Sequence, residues 1–301
     1  MISIITATYN RAYILPQLYK SLLKNKKTYS DFEWVIVDDG STDDTKALIE
    51  KWIDEKKIKV RYYKQKNGGK MSALNYGIPK TNGEIIIEVD SDDYLNDTDL
   101  KTINDNFNKV ENDDSLYGIL FRRTFSDKKL DAKNSFPFDE KISTMFDLYM
   151  KSNFDKDACI VFKGDIRRKF SHKLENNEKF VTEARMYNEM DKKYKGLLCI
   201  NKPIVVSEYL EDGYSKNIEK LFINNPHGYY CYFKECLEMN LSKIPLKKYL
   251  YLLKHYILFS YLTKRKKTEA IKNVKGLNKL MVSVLVIPGY YMSKKRFGKV
   301  Q

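Results

Sequence analysis

The chain has 301 residues, 43% of them hydrophobic, with 13 glycines and 7 prolines. That is enough apolar content for a large core, and it excludes collagen-like, low-complexity and globally disordered classes. Four cysteines (Cys159, Cys199, Cys231, Cys236) show no CxxC spacing, so neither a disulfide scaffold nor a structural zinc site is expected, and a reducing compartment fits.

Met1–Thr8 (MISIITAT) is short, apolar and β-branched; it reads as a buried strand and not as a secretory leader. Ile14, Leu15, Leu18, Leu22 and Leu23 carry helical spacing across residues 13–24. Phe32–Val37 (FEWVIV) is the second expected strand. A helix holding Ala47, Leu48 and Trp52 follows, with Ser41 or Thr42 as the expected cap. Ile58–Tyr63 is the third strand, Met71–Ile78 a short helix after a Gly-Gly turn, and Glu84–Val89 (EIIIEV) the fourth strand. This alternation predicts an α/β fold with a mainly parallel sheet covered on both faces. Ligands of such sheets bind beyond the carboxyl ends of the strands. Polar clusters fall there four times: Thr8-Tyr9-Asn10-Arg11, Asp38–Asp43, Asn67-Gly68-Gly69-Lys70 and Asp90-Ser91-Asp92-Asp93. One such cluster is ordinary turn chemistry; four at one sheet edge imply a site.

The strings SIITATYNR, FEWVIVDDGSTDDT, NGGKMSALNYGI and GEIIIEVDSDDYL, over about residues 1–95, resemble the N-terminal half of family 2 glycosyltransferases. A weaker likeness to bacterial surface-polysaccharide transferases of that family continues through EKFVTEARMYNEM (178–190) and VVSEYLEDGYSKNI (205–218). The resemblance implies a GT-A fold, with a nucleotide-sugar half at 1–95, an acceptor half at 96–240 and a basic helical tail at 241–301.

It also implies roles. Asp90 and Asp92 form a DxD motif that would hold Mg²⁺ or Mn²⁺ against a diphosphate, since these ions favour oxygen ligands from one or two carboxylates plus phosphate. Read alone, the same four residues make a solvated acidic turn. Asp93 is expected to shape the turn. Asp39 would accept a hydrogen bond from a uracil ring N–H while Asp38 supports the turn. Ala7, Thr8 and Tyr9 would line the nucleoside pocket. Asn67, Gly69 and Lys70 would lie near ribose and diphosphate, with Gly68 and Gly69 allowing close backbone approach; the Walker spacing is absent. An inverting transfer needs a carboxylate to take the acceptor's proton. The resemblance assigns this base to Glu183, with Glu178 as the reserve. His172, His227 and His255 have no metal-ligand spacing and read as structural or surface-exposed and not as ligands.

The net charge is +14, and it is local: 15 of the 54 Lys and Arg residues but one acid, Glu269, lie between Ser242 and Gln301. Leu246–Leu262 reads as an apolar, tyrosine-rich helix, followed by Lys264–Lys267 (KRKK), an apolar run at Leu280–Ile287 and the cluster Lys294-Lys295-Arg296. No run of about 20 apolar residues suits a span. The pattern suits an anionic membrane surface, with packing on the catalytic domain or homo-oligomerisation as competing uses and nucleic acid not expected.

The resulting expectation is an inverting glycosyltransferase using a nucleotide sugar, expected to be a UDP-sugar, and a lipid-linked glycan acceptor. It would work on the cytoplasmic side, peripheral on the inner face of the plasma membrane. The alternative kept open is a catalytically inactive nucleotide-sugar-binding assembly subunit. A sugar nucleotidyltransferase would need a Gly-rich basic signature after strand one, which TATYNR is not.

Overall fold

A computed structural model describes residues 1–126, 135–152, 154–207 and 218–298. Most of the VVSEYLEDGYSKNI segment, residues 208–217, lies outside the described residues.

The first half alternates as the sequence predicts: β1 (Ile2–Thr8), α1 (Leu15–Asn25), β2 (Phe32–Asp38), α2 (Thr45–Glu55), β3 (Lys59–Lys64), α3 (Lys70–Gly77), β4 (Ile85–Glu88) and α4 (Asp99–Phe107). The second half adds β5 (Leu116–Phe125), β6 (Glu140–Ser143), α5 (Met145–Lys151), β7 (Ala158–Lys163), the short α6 (Gly164–Arg167), α7 (Ala184–Lys193) and β8 (Gly196–Ser207). Five helices follow: α8 (Ile218–Asn224), α9 (Pro226–Cys236), α10 (Leu246–Leu262), α11 (Lys267–Lys272) and α12 (Gly276–Phe297).

The eight strands form one sheet in the order β3-β2-β1-β4-β7-β5-β8-β6. β1 to β4 are mutually parallel, as are β5 and β8, whereas β7 runs antiparallel to both β4 and β5. Two reversals restore direction. The carboxyl ends of β5 and β8 therefore lie at the same edge as those of β1 to β4, and the amino end of β7 joins them.

Period-two burial explains the layering. Ile2, Ile4, Trp34 and Ile36 face one core, where Trp34 stacks near Tyr19 and Trp52; Ile5, Val35 and Ile86 face the other. The expected cap at Ser41 or Thr42 is displaced. α2 begins at Thr45, whose amide and hydroxyl donate to Asp43 Oδ1 at 3.1 and 2.6 Å, while the Ser41 hydroxyl accepts from Asn10 N instead.

A third apolar cluster joins α8 to α12, with Phe146 and Phe180 bridging toward the sheet. α8 and α9, which fall in the expected acceptor half, pack into this helical layer. α10 spans the expected Leu246–Leu262. Among the described residues no helix is long and apolar enough to cross a membrane.

Candidate active site

Strand register delivers the polar clusters to one place. Thr8 pairs with Asp38, and Asp38 with Lys64, so three strands end level. Beyond them the loops are tied together. Asn10, at φ +52°, accepts from Thr42 N at 2.8 Å, and Asp38 Oδ1 accepts from Ser41 N at 2.6 Å. Tyr62 donates to Asp38 Oδ2 at 2.7 Å, so Asp38 is the turn support that was expected.

Asp39 has a fuller set of partners than a base-reading role requires. Oδ1 accepts from Gln65 Nε2 (2.7 Å) and Gly68 N (2.8 Å); Oδ2 accepts from Gly69 N (2.7 Å) and Asn67 Nδ2 (3.1 Å). A carboxylate offers about four lone-pair sites. Four donors occupy Asp39, so its carboxylate holds the glycine loop, and a uracil N–H would have to share or displace one of them. Gly69 must be glycine for two reasons. Its φ is +93°, and an added Cβ would sit 2.0 Å from the carbonyl oxygen of Lys179.

The loop aims Lys70 inward. Its Nζ lies 2.6 Å from Asp90 Oδ1 and 2.8 Å from Glu183 Oε1. Glu183 immediately precedes α7, 113 residues away in sequence. The Lys70 ammonium, against the opposing effect of burial, holds the Glu183 carboxyl down at about 2. Burial works to lower the Lys70 ammonium, but Asp90 and Glu183 outweigh it and raise it well above its ordinary value.

Asp92 behaves oppositely. Burial, then the neighbouring charge of Asp90, push its carboxyl upward. Asp93 is raised to about 6, by burial first, while it pairs with Arg123. Arg123 also donates to Ser207 Oγ at 2.8 Å.

These groups enclose a cavity of about 950 Å³. Ala7, Thr8, Tyr9, Asp39, Asn67, Gly69, Lys70, Asp90, Asp92 and Glu183 all line it; Gly68 and the reserve base Glu178 do not. The Thr8 hydroxyl is buried there without a hydrogen-bond partner among the described residues, a polar atom a ligand could satisfy.

The acidic cluster fits a divalent ion as an incomplete donor set. Among the described residues no three His, Cys, Asp or Glu side chains converge as a ready metal cage. Asp93 is committed to Arg123. Asp90, itself paired with Lys70, and Asp92 are two mutually repelling carboxylates; a dication would relieve that repulsion, with further oxygens coming from phosphate and water.

Glu178 does not belong to the site. Its buried carboxylate accepts from His227 N and Gly228 N, each at 2.7 Å, at the start of α9. Two uncapped helix amides claim it, which removes it as reserve base. His172 is buried against Arg167, burial lowering it to about 4, and His255 stacks on Phe233; both are structural, as expected.

Sequence reasoning missed Arg123. The signal was present, since the apolar run of β5 ends in Arg122-Arg123 at the same edge as the other clusters. It also missed an apolar and aromatic wall from Met145, Phe146 and Tyr149 of α5, Tyr187 of α7 and Tyr232 of α9.

A parallel half-sheet, polar loops at its carboxyl edge and a helix bringing one carboxylate across the cavity define a GT-A architecture. The model of the family Glycosyl transferase family 2 matches residues 3–174, and the chain belongs to that family. The chain is 37% identical over 99 residues to the poly(ribitol-phosphate) beta-N-acetylglucosaminyltransferase TarS of Staphylococcus aureus (strain Mu50), covering 33% of this chain and 17% of TarS. It is 33% identical over 104 residues to the glycosyltransferase GlyG of Streptococcus pneumoniae serotype 4, covering 34% of each. These matches span well under two thirds of either relative. Among solved structures, S. aureus TarS 1-349 in complex with UDP-GlcNAc superposes with a TM-score of 0.58 at 17% identity, over 100% of this chain and 92% of that one. A mannosyltransferase from Pyrobaculum calidifontis in complex with GDP-Man and Mn²⁺ gives 0.55 at 15% identity, over 97% and 83%.

Proposed function

We propose that the chain is an inverting glycosyltransferase that moves a sugar from a UDP-sugar to a hydroxyl of a lipid-linked glycan during bacterial surface-polysaccharide assembly. The observation that carries this reading is the Lys70 bridge, which sets the DxD residue Asp90 and the base Glu183 on opposite sides of one ammonium inside one cavity. The TarS and UDP-GlcNAc likeness supports the donor class.

The nucleoside lies against Ala7, Thr8 and Tyr9, with the Thr8 hydroxyl taking up a partner. Asp39 keeps the 67–69 loop in place for the ribose. Asp90 and Asp92 would hold Mg²⁺ or Mn²⁺, whose chemistry here is to neutralise charge on the leaving diphosphate. Lys70 is drawn to the phosphates, and Glu183 loses the ion pair that holds it ionised. Without that partner, burial raises its proton affinity, and it accepts the acceptor hydroxyl's proton as oxygen attacks C1. C1 inverts in one displacement, so an α-linked donor yields a β-linkage. The basic C-terminal segment supports work at the cytoplasmic face of a membrane, where a lipid-linked acceptor resides.

Titration calorimetry with UDP and GDP in Mn²⁺ or Mg²⁺ tests the site. UDP binding that needs the metal and falls about tenfold or more in Asp92→Ala is expected. No nucleotide binding would remove the reading of all four loop clusters together. Tight binding without turnover of any donor would favour a binding-only assembly subunit.

A further inference from the structure

One helix of the C-terminal layer has a face that the fold does not use. α12 turns Val282, Val286, Ser293 and Phe297 inward to the third cluster. Its rotation is fixed by close packing: at Gly289 an added Cβ would sit 2.5 Å from Ile257 Cγ2 of α10. The opposite face carries Leu277, Leu280, Val284, Ile287 and Tyr291, each between 61 and 72% exposed. Their spacing alternates three and four residues, so they form one stripe along the helix, about 21 Å long at about 1.5 Å per residue.

Exposed apolar side chains are ordinary when scattered. Here they are not: nine of the fifteen large exposed hydrophobics among the described residues lie between Leu246 and Met292, six of them on α12. A contiguous patch of this kind marks an interaction surface.

Charge selects the occupant. Lys279 flanks one end of the stripe and Lys294 and Lys295 the other, and α12 contains no acid. Arg296 is paired with Glu219 of α8. A second copy seated on this face would bring two wholly basic helices together with no acidic complement. Anionic lipid headgroups supply that complement, and the acyl boundary accepts the apolar stripe.

We propose that the Leu277–Tyr291 stripe of α12 is the membrane-seating face of the protein, lying in the plane of an anionic bilayer surface with Lys279, Lys294 and Lys295 on headgroup phosphates. This deepens the membrane-surface part of the functional reading and is independent of the cavity chemistry.

The test is co-sedimentation of the full chain with vesicles of phosphatidylcholine alone or of phosphatidylcholine with phosphatidylglycerol. Circular dichroism and UDP binding serve as controls for each variant. Wild type partitions onto the anionic vesicles. Val284→Ser with Ile287→Ser lowers partitioning about tenfold or more, and Lys294→Gln with Lys295→Gln erases the preference for anionic lipid. UDP binding is unchanged in both, so failure here and failure of the transferase reading are distinguishable. Absence of vesicle binding by wild type, or binding undiminished by the apolar pair, would overturn the proposal. So would sedimentation velocity showing a lipid-free dimer that Val284→Ser with Ile287→Ser dissociates.

Discussion

A single ammonium group stands between two carboxylates of the cavity. Lys70 reaches Asp90 and Glu183 at 2.6 and 2.8 Å, and a lysine there is a compact point charge that can pass between carboxylate and phosphate. Its effect on Glu183 has a consequence for stability. The folded carboxyl is held at about 2, below its ordinary 4.5. A depressed carboxyl contributes stability that is present above the unfolded value and is lost as pH falls through the folded one. The wild type therefore loses this contribution between pH 4.5 and about 2. Glu183→Gln removes the titrating group, and the urea midpoint is expected to fall less steeply with pH from 5 downward; an unchanged slope would show that the pair does not form in solution.

At the level of elements, two features of α9 and the 67–69 loop decide how the cavity is held. Glu178 satisfies two amides at the start of α9, which in turn presents Tyr232 to the cavity. Glu178→Ala is expected to destabilise the fold by about 1–3 kcal/mol, read as a lower thermal midpoint, while UDP binding is retained. Unchanged melting with lost turnover would return Glu178 to the catalytic machinery. The same elements show what a sequence can and cannot disclose. β1, β2 and β4 were legible because each is a short apolar run ended by polar turn residues, β3 (KVRYYK) because β-branched and aromatic residues alternate with charged ones, and the DxD and Gly-Gly segments are contiguous strings. Glu178 and Glu183 are five residues apart in one string, and nothing local separates a helix-capping carboxylate from a cavity one; only the approach of α9 does. Arg123 and the α5 wall depend on β7 reversing the chain twice, a long-range pairing that periodicity does not reveal. Asp39 was read as exposed to a base, but its four donors come from residues 65–69, brought to it by β3 pairing with β2.

For the whole molecule, a neutral α/β body carries the cavity and a basic helical layer carries the unpartnered stripe, joined through the cluster that includes Phe146 and Phe180. α5 and α9 belong to both, since Phe146 and Tyr232 line the cavity and the same helices pack in or against the helical layer. A glycan acceptor held at a membrane surface would thus meet a cavity wall continuous with the helices expected to seat there.

The proposed mechanism requires Glu183 to take the acceptor's proton across Lys70 from Asp90 and Asp92, the carboxylates proposed to hold the metal. The direct measurement is release of free nucleotide from a panel of nucleotide sugars with Mn²⁺ or Mg²⁺ and membrane-lipid extract as acceptor, comparing wild type with Glu183→Gln. Metal-dependent release from one donor is predicted, with Glu183→Gln binding that donor normally and transferring about 10²-fold more slowly or worse. Undiminished transfer by Glu183→Gln would contradict the account.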